Sequence, residues 1–306
     1  MGTEVKKTRR RGYKPGGSDK RFYIFNGILM GVIFFIYAWP LWFIAVASFS
    51  DPNLVTSGKV FLLPKGFHLN GYRLIMEYRD ILVGYANSIL YTVAGTALNI
   101  VMTILAAYPI SRQDFVLRRF FTIFLVFTMY FSGGLIPLFL QVKSLGLYNS
   151  PLAMLVPGAI SVYNVLILRS FFMYGVPRSL EEAAILDGAN TFQMLVRVIL
   201  PLVKPTIAVL VLYYAVGHWN DYFSALIYLK DRNLMPLQTV LRDILIVGKI
   251  DMVSSGMEME AVIAKLKTAQ TLKYSVIIVS TVPLMLGYPF IQKYFVKGIM
   301  IGAVKG

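Results

Sequence analysis

Six long apolar stretches dominate this chain of 306 residues and limit what it can fold into. Each has 19 to 27 residues, and a helix needs about 20 apolar residues to cross a hydrocarbon layer of roughly 30 Å. Together they cover nearly half of the chain, too much for the buried core helices of a soluble protein. The sequence therefore predicts an all-α, polytopic membrane protein. Its predicted transmembrane helices are 22–48, 85–110, 120–140, 151–172, 206–229 and 274–292.

The distribution of charge gives these predicted spans an orientation. The net charge is +15, and Lys and Arg accumulate in cytoplasmic loops near span ends. With a cytoplasmic N-terminus, the cytoplasmic segments hold 17 basic and six acidic residues, against 12 and eight in the outer loops. This asymmetry accounts for the basic balance without nucleic acid. It predicts a basic cytoplasmic segment 1–21, a six-span domain 22–292 and a cytoplasmic tail 293–306.

An alternative for the first apolar stretch is a cleavable signal peptide, because Ala45-Val46-Ala47 resembles a cleavage site. The stretch is about twice the usual length of a signal-peptide core. We therefore favour an uncleaved first span. Glycine and proline also interrupt later spans, as at Gly133-Gly134 and Pro157-Gly158, and such breaks are tolerated where protein or a watery cavity satisfies the freed backbone groups.

The predicted cytoplasmic loop 177–205 is too polar to cross a membrane and has a regular pattern. Ser179 and Glu182 have the spacing of a capping box, which predicts a short helix from about Leu180. Gly188 is suited to a left-handed backbone conformation that ends this helix. The pattern therefore predicts a helix followed by a sharp glycine turn.

A second short helix is predicted after the turn, capped by Thr191 and stopped by Pro201. Ala183 and Ala184 would give the first helix a thin face that fits a groove. Three apolar residues of the second helix are predicted to anchor it: Phe192, Leu195 and Val198. The alternative is an amphipathic connector that lies on the membrane with nothing docked to it.

The spacing in this loop resembles the signature of permease subunits of bacterial ABC importers. That signature is E-A-A, three residues, G, nine residues and I-x-L-P. The chain has Glu182-Ala183-Ala184, Gly188 and Val198-Ile199-Leu200-Pro201 at the same intervals. Val198 in place of Ile is the one departure, and it keeps the position apolar.

The resemblance extends to the six-span carbohydrate-uptake permeases of the maltose type. It is carried by Asn87-Ser88, by 106–112, by Gly217-His218-Trp219-Asn220-Asp221 and by the tail 292–298 and 304–306. The tail is most similar to permeases of Gram-positive bacteria that import oligosaccharides or complex glycans. The resemblance thus implies a sugar permease, a subunit of an ATP-driven importer that works by alternating access in the bacterial cell membrane.

In that family the E-A-A loop is a coupling helix that docks in a cytoplasmic ATPase. The resemblance implies this role for Glu182, Ala183, Ala184 and Gly188, with Pro201 closing the signature. For Glu182 the capping box is an independent explanation. The tail after residue 293 either reaches the ATPase, as in maltose-type relatives, or is a solvated basic tail.

The family also implies a set of partners. These are a second homologous permease, two cytoplasmic ATPase subunits that bind ATP and Mg, an extracellular solute-binding protein, an oligosaccharide substrate and membrane lipid. The binding protein would dock on the long outer loops 49–84 and 230–273. In the second of these, 257–267 has the apolar pattern of a surface helix.

Asp221 is the only acid inside a predicted span, and an intramembrane charge is a functional hypothesis by default. Trp219, Asn220 and Tyr222 beside it offer an aromatic face and hydrogen-bonding groups for a sugar. The alternative is a kink whose polar groups satisfy one another. Arg169 lies too far along the fourth span to neutralise Asp221. Further candidates, which equally suit helix packing, are Tyr130, Ser132, Tyr163 and Asn164.

Motifs of other functions are absent from the sequence. It has no Cys and two isolated His, no Walker A phosphate loop, no H-E-x-x-H and no G-x-S-x-G. We therefore expect a non-catalytic subunit with no cofactor or metal of its own, and a membrane-embedded enzyme is disfavoured. An ion-coupled secondary transporter is the other alternative, but it would need more intramembrane charges or inverted repeats.

Overall fold

The computed structural model describes residues 17–244, 269–289 and 292, in which helices are joined by loops and no strand occurs. The chain divides after Phe67 into two compact units. Most of the predicted segment 1–21, the predicted helix 257–267 and the predicted tail 293–306 lie outside the described residues.

The first unit is dominated by a single helix, α1 (Gly17–Ser48), which covers the whole first predicted span. Phe34, Phe35 and Ile36 are consecutive and all exposed, so apolar side chains point in several directions around the helix. A helix that is apolar on all sides is typical of a membrane span. A short helix, α2 (Pro52–Thr56), follows it.

The second unit consists of helices joined by short connections. One of them, α10, contains a π-helical segment at Met194–Ile199. The helices are α3 (Asn70–Glu77), α4 (Arg79–Ser111), α5 (Arg118–Tyr130), α6 (Leu135–Ser144), α7 (Leu152–Leu155), α8 (Val162–Tyr174), α9 (Arg178–Leu186), α10 (Thr191–Leu202), α11 (Lys204–Trp219), α12 (Phe223–Tyr228), α13 (Leu237–Arg242) and α14 (Ala269–Pro289).

Helix α4 is the central element of the second unit, because α8, α11 and α13 all pack against it. Two apolar cores lie at its two ends. The core at the Ser111 end joins α4 to α8 and α10 through residues such as Ala107, Leu168 and Ile199. The core at the Arg79 end joins it to α11, α13 and α14.

Three described helices are long and apolar enough to cross a membrane by themselves, namely α1, α4 and α14. Two bent pairs also pass this test: α5 with α6, bent by 114°, and α10 with α11, bent by 82°. Helix α8 is apolar but has only 13 residues. Predicted spans three and four are broken around Gly133-Gly134 and Pro157-Gly158, the interruptions noted in the sequence, and span five is broken at 220–222. The count of six spans stays a prediction.

Local chemistry explains where these helices break. Between α5 and α6, Gly134 has φ +87, a value that glycine adopts readily and other residues do not. Between α7 and α8 lie Pro157 and Gly158, where proline offers no backbone donor. Between α11 and α12, Asp221 Oδ1 accepts a hydrogen bond from the Ser224 N–H at 3.0 Å, which stabilises the start of a new helix.

Candidate functional site

The segment 177–205 contains α9, the glycine turn and α10. Helix α9 begins at Arg178, after Pro177, and no side chain caps it. The predicted capping box of Ser179 and Glu182 is therefore wrong, although the helix itself is confirmed. Glu182 is exposed and does not serve as a cap. The explanation of Glu182 as a capping-box residue is therefore wrong.

Gly188 ends α9 as predicted. Its φ is +77, its N–H donates to Ile185 O at 3.0 Å, and the next N–H, of Ala189, donates to Ala184 O at 2.9 Å. These two bonds form a Schellman motif, in which a left-handed residue satisfies the last carbonyls of a helix. A Cβ at Gly188 would meet nothing within 4 Å, so backbone conformation, not crowding within the chain, requires glycine here.

Helix α10 begins at a different cap from the predicted one. Asn190, not Thr191, caps it: the Gln193 N–H donates to Asn190 Oδ1 at 2.9 Å, and the Asn190 N–H donates to Gln193 Oε1 at 3.0 Å. The prediction that Pro201 stops this helix is also wrong, because the helix continues to Leu202 and then bends into α11.

The predicted anchors of α10 are partly confirmed. Leu195 is buried in the core at the Ser111 end of α4, and Val198 packs against that core. Phe192, however, is 72% exposed, so the prediction that it anchors α10 is wrong. The core-facing side of α10 is instead completed by Met194 and Ile199.

The signature residues of α9 lie on two sides of the helix. Ala184 packs against the core, whereas Glu182 and Ala183 are exposed. No side chain of α9 is buried, and Leu186 is 88% exposed. Together with Phe192, this leaves the segment 177–205 with an apolar surface that has no cover within the described chain.

An ion pair joins α9 to the end of α4. Arg112 Nη1 lies 2.6 Å from Glu181 Oε2, and both side chains are only 21% exposed. A second carboxylate, of Asp114, lies 3.4 Å from Arg112 Nε but is 78% exposed. Partial burial opposes the charge of Arg112, but Glu181, aided by Tyr108 and Asp114, outweighs it, so the pKa of Arg112 is raised.

Two clefts flank this ion pair. One has a volume of about 840 Å³ and lies between α9 and the ends of α4 and α8. The other, of about 370 Å³, lies between α9, α10 and the 112–115 connection. Arg112, Asp114 and Ile185 line both clefts, so the ion pair lies between the two clefts.

In the second candidate region, 217–222, the side chain of Trp219 is turned into the fold. Trp219 is 4% exposed. Its Nε1 donates to Ser280 O at 3.0 Å, and its ring makes an edge-to-face contact with Tyr85. Trp219 is thus a core residue, and its indole N–H is already satisfied within the chain.

The next three residues form the break between α11 and α12. Asn220 is exposed and its Nδ2 donates to Val216 O at 2.9 Å. Asp221 is half-buried and accepts the Ser224 N–H described above. Tyr222 is exposed. Asp221 therefore has a local backbone partner, which fits the alternative of a locally satisfied kink, while Asn220 and Tyr222 remain accessible.

His218 belongs to a buried polar network that sequence reasoning did not find. Its Nε2 lies 2.6 Å from Asn99 Oδ1, and Asn99 Nδ2 donates to Gly158 O at 2.6 Å. Because the Asn99 oxygen is an acceptor, His218 Nε2 is the donor. Gly95 makes room for the ring, since a Cβ there would overlap it. The network joins α4, the α7–α8 break and α11.

The weaker pathway candidates lie in different environments. Tyr130 at the end of α5 and Tyr163 at the start of α8 are exposed, whereas Asn164 is buried. Ser132 Oγ accepts from the Gly134 N–H at 3.2 Å within the α5–α6 break. As predicted, Arg169 is not paired with Asp221, and its Nε donates to Ile110 O at 3.0 Å.

The other end of α4 is held to the 233–237 connection by three side chains. Asn87 Nδ2 donates to Asn233 O at 2.7 Å and to Met235 O at 3.1 Å. Ser88 Oγ accepts the Leu237 N–H at 2.9 Å. Tyr91 donates to Leu234 O at 2.8 Å. The sequence pair Asn87-Ser88 thus has a structural role in this chain.

Comparisons with known proteins identify the family. The chain matches the family model of the binding-protein-dependent transport system inner membrane component over residues 99–301. The polygalacturonan/rhamnogalacturonan transport system permease protein YtcP of Bacillus subtilis (strain 168) is 43% identical over 274 residues, covering 87% of this chain and 92% of that protein. Protein LplC of the same strain is 38% identical over 285 residues, covering 93% and 95%.

A solved structure agrees with this result. A chain from the crystal structure of a bacterial ABC transporter involved in the import of the acidic polysaccharide alginate has a TM-score of 0.82 and 32% identity, covering 92% of this chain and 99% of that one. The apolar helices and these comparisons together define a membrane transport permease. The chain belongs to the binding-protein-dependent transport system inner membrane components, and the resemblance noted in its sequence is confirmed.

Proposed function

We propose that this chain is the translocation-pathway subunit of an ABC importer for oligosaccharides and works by alternating access. The observation that carries the proposal is the exposed helix, glycine turn and helix of 177–205. Its left-handed Gly188 is rigidly placed by the Schellman bonds, and its apolar residues Leu186 and Phe192 have no cover within the described chain.

In this proposal the segment 177–205 lies in the cytoplasm and α9 is the coupling helix. Glu182, Ala183 and Gly188 face the ATPase, and Ala184 sets α9 close to the core. Pro201 lies in the last turn before the 82° bend into α11. Docking would bury Leu186 and Phe192, and burial of large apolar side chains stabilises an interface by about 1.5–3 kcal/mol each.

The six-span arrangement is part of the proposal. Helices α1, α4 and α14 would each cross the membrane once. The α5–α6 pair, α7 with α8, and α11 with α12 would be the three broken spans. Both termini would then lie on the cytoplasmic side, in the bacterial cell membrane, as the charge asymmetry predicts.

The breaks are our proposed substrate pathway. Open backbone groups inside a membrane are tolerated only where protein covers them or a watery cavity solvates them. Asn220 and Tyr222 at one break, Tyr130 at another and Tyr163 at a third are exposed in the chain. We assign contact with substrate to these four. Buried Trp219 and Asn164, and the locally bonded Asp221, would support the pathway.

The remaining parts of the importer follow from the family. We expect a second homologous permease, two ATPase subunits that bind ATP and Mg, and an extracellular solute-binding protein. This chain would perform no chemistry of its own. The relatives named for polygalacturonan/rhamnogalacturonan transport and for alginate import support a sugar polymer fragment as substrate.

The test is to co-express the chain with the ATPase and the partner permease of the importer and to measure which subunits co-purify. We expect the ATPase to be retained with the native chain and lost with Leu186→Asp. That residue is 88% exposed, so the substitution should leave the chain folded. Leu63→Asp, at another exposed apolar residue outside 177–205, is the matched control and should retain the ATPase. Retention by Leu186→Asp would contradict the assignment of α9.

A further inference from the structure

Helix α9 is weakly held by apolar packing, although the proposed function requires it to transmit force. None of its side chains is buried, and Ala184 supplies its contact with the core. The two clefts of about 840 and 370 Å³ leave open space on both sides of it. Some other contact must therefore fix its position relative to the membrane helices.

The ion pair between Arg112 and Glu181 has the properties of such a contact. The atoms are 2.6 Å apart, and both side chains are mostly removed from solvent, where an ion pair is screened much less than at the surface. Arg112 directly follows the last residue of α4, and its own N–H donates to Pro109 O. The guanidinium is thus fixed to the helix end and is not carried on a free loop.

Helix α4 is long enough to carry movement across the membrane. Its 33 residues extend about 50 Å at the helical rise. Its opposite end is hydrogen-bonded to the 233–237 connection through Asn87, Ser88 and Tyr91. Between the two ends it packs on α8 and α11, so a displacement at Arg112 would reach the elements that border two of the three breaks.

We propose that Arg112 and Glu181 are positioning residues that make α9 and α4 move as one body. The inference rests on the proposed function, because it requires α9 to be the part that the ATPase displaces. Without the ion pair, closure of the ATPase would tilt α9 into the neighbouring clefts and leave α4 behind. ATP would then be hydrolysed with little transport.

The test uses the complete importer, with both permeases, the ATPases and the binding protein, reconstituted in lipid vesicles. Arg112→Gln and Glu181→Gln are compared with the native protein for sugar transported per ATP hydrolysed and for substrate stimulation of hydrolysis. We expect both ratios to fall by about fivefold or more, the lower range of typical coupling between sites. Asp114→Asn is the matched control: it removes a carboxylate from the same arginine, but one that is 78% exposed, and should change neither ratio.

A charge swap separates positioning from a general structural role. Arg112→Glu with Glu181→Arg is made in the Asp114→Asn background, so that the new Glu meets no second acid. We expect this swap to restore coupling while either single reversal does not. The amount of assembled complex is measured for every variant, and single variants that do not assemble, or a swap that does not restore coupling, would overturn the inference.

The same experiment distinguishes this inference from the proposed function. If the native complex shows no substrate-stimulated hydrolysis with all components present, the proposed function fails. If the native complex is coupled and Arg112→Gln and Glu181→Gln are equally coupled, only the inference fails. A coupled native complex, uncoupled single variants and a recovered swap would support both.

Discussion

The segments 177–205 and 217–222 both carry family-like motifs, but they differ in how far their side chains are buried and bonded within the chain. In the first, Leu186 and Phe192 are exposed and the space beside Gly188 is empty. In the second, Trp219 is buried and His218 is packed against Gly95 and hydrogen-bonded to Asn99. A motif that serves a partner leaves its side chains unused within the chain, whereas a motif that serves the fold has them satisfied. The contrast supports the proposed docking role of 177–205 and a supporting role for His218 and Trp219.

The largest expected effect is at Gly188. We predict that Gly188→Val abolishes substrate-stimulated ATP hydrolysis in the reconstituted complex, because a β-branched residue is a genuine outlier at φ +77 and the Schellman turn would be lost. Hydrolysis and transport are measured with saturating binding protein. Unchanged coupling would contradict the proposed docking role of 177–205.

Two control variants separate backbone conformation from other effects. Gly188→Asn should keep most of the coupling, because Asn tolerates the left-handed region better than other residues do. Gly58 has φ +67 and open space around it, like Gly188, but lies outside 177–205. Gly58→Val should therefore disturb its own turn without uncoupling hydrolysis from transport.

The next effect is at the contact between Gly95 and His218. We predict that Gly95→Ala lowers the free energy of unfolding by about 1–3 kcal/mol, because the added methyl group would overlap the His218 ring. The measurement is the thermal unfolding temperature of the purified permease in detergent. Gly217→Ala is the matched control: it adds the same group beside His218 in the sequence, where nothing lies within 4 Å, and it should be neutral or stabilising.

The last prediction compares Trp219 with Tyr222. Trp219→Phe should lower the free energy of unfolding by about 1–3 kcal/mol, because the buried Ser280 carbonyl loses its donor, with little change in uptake per assembled complex. Tyr222→Phe should reduce uptake severalfold without a change in stability, because this tyrosine is exposed at the break. If Trp219→Phe lowered uptake and Tyr222→Phe lowered stability, Trp219 would be the pathway residue and Tyr222 the structural one.

The sequence alone was sufficient for features that depend on local physics. Apolar stretches located α1, α4 and α14, and the need for a left-handed residue located the turn at Gly188. The cap at Asn190 was also within reach, since Asn190 and Gln193 have capping-box spacing. Threonine is also a good cap, so the sequence does not distinguish Asn190 from Thr191 as the first residue of this helix boundary.

Features that depend on distant residues could not be predicted. His218 and Asn99 lie in different helices, and neither residue carries a sign of the other. Phe192 has the spacing of a core residue but is exposed. The π-helical segment at Met194–Ile199 has a register of hydrogen bonds that apolar periodicity does not reveal. The Arg112–Glu181 pair likewise needed the fold, since 69 positions separate the two residues.

The close approach of His218 to Gly95 also limits how this protein can change over time. A side chain at position 95 and an imidazole at position 218 exclude each other, because both need the same volume. A larger residue at position 95 is therefore incompatible with histidine at position 218. Among related permeases, we expect any chain with a larger residue at the position of Gly95 to carry a small one at that of His218, so that the two sites covary as a pair.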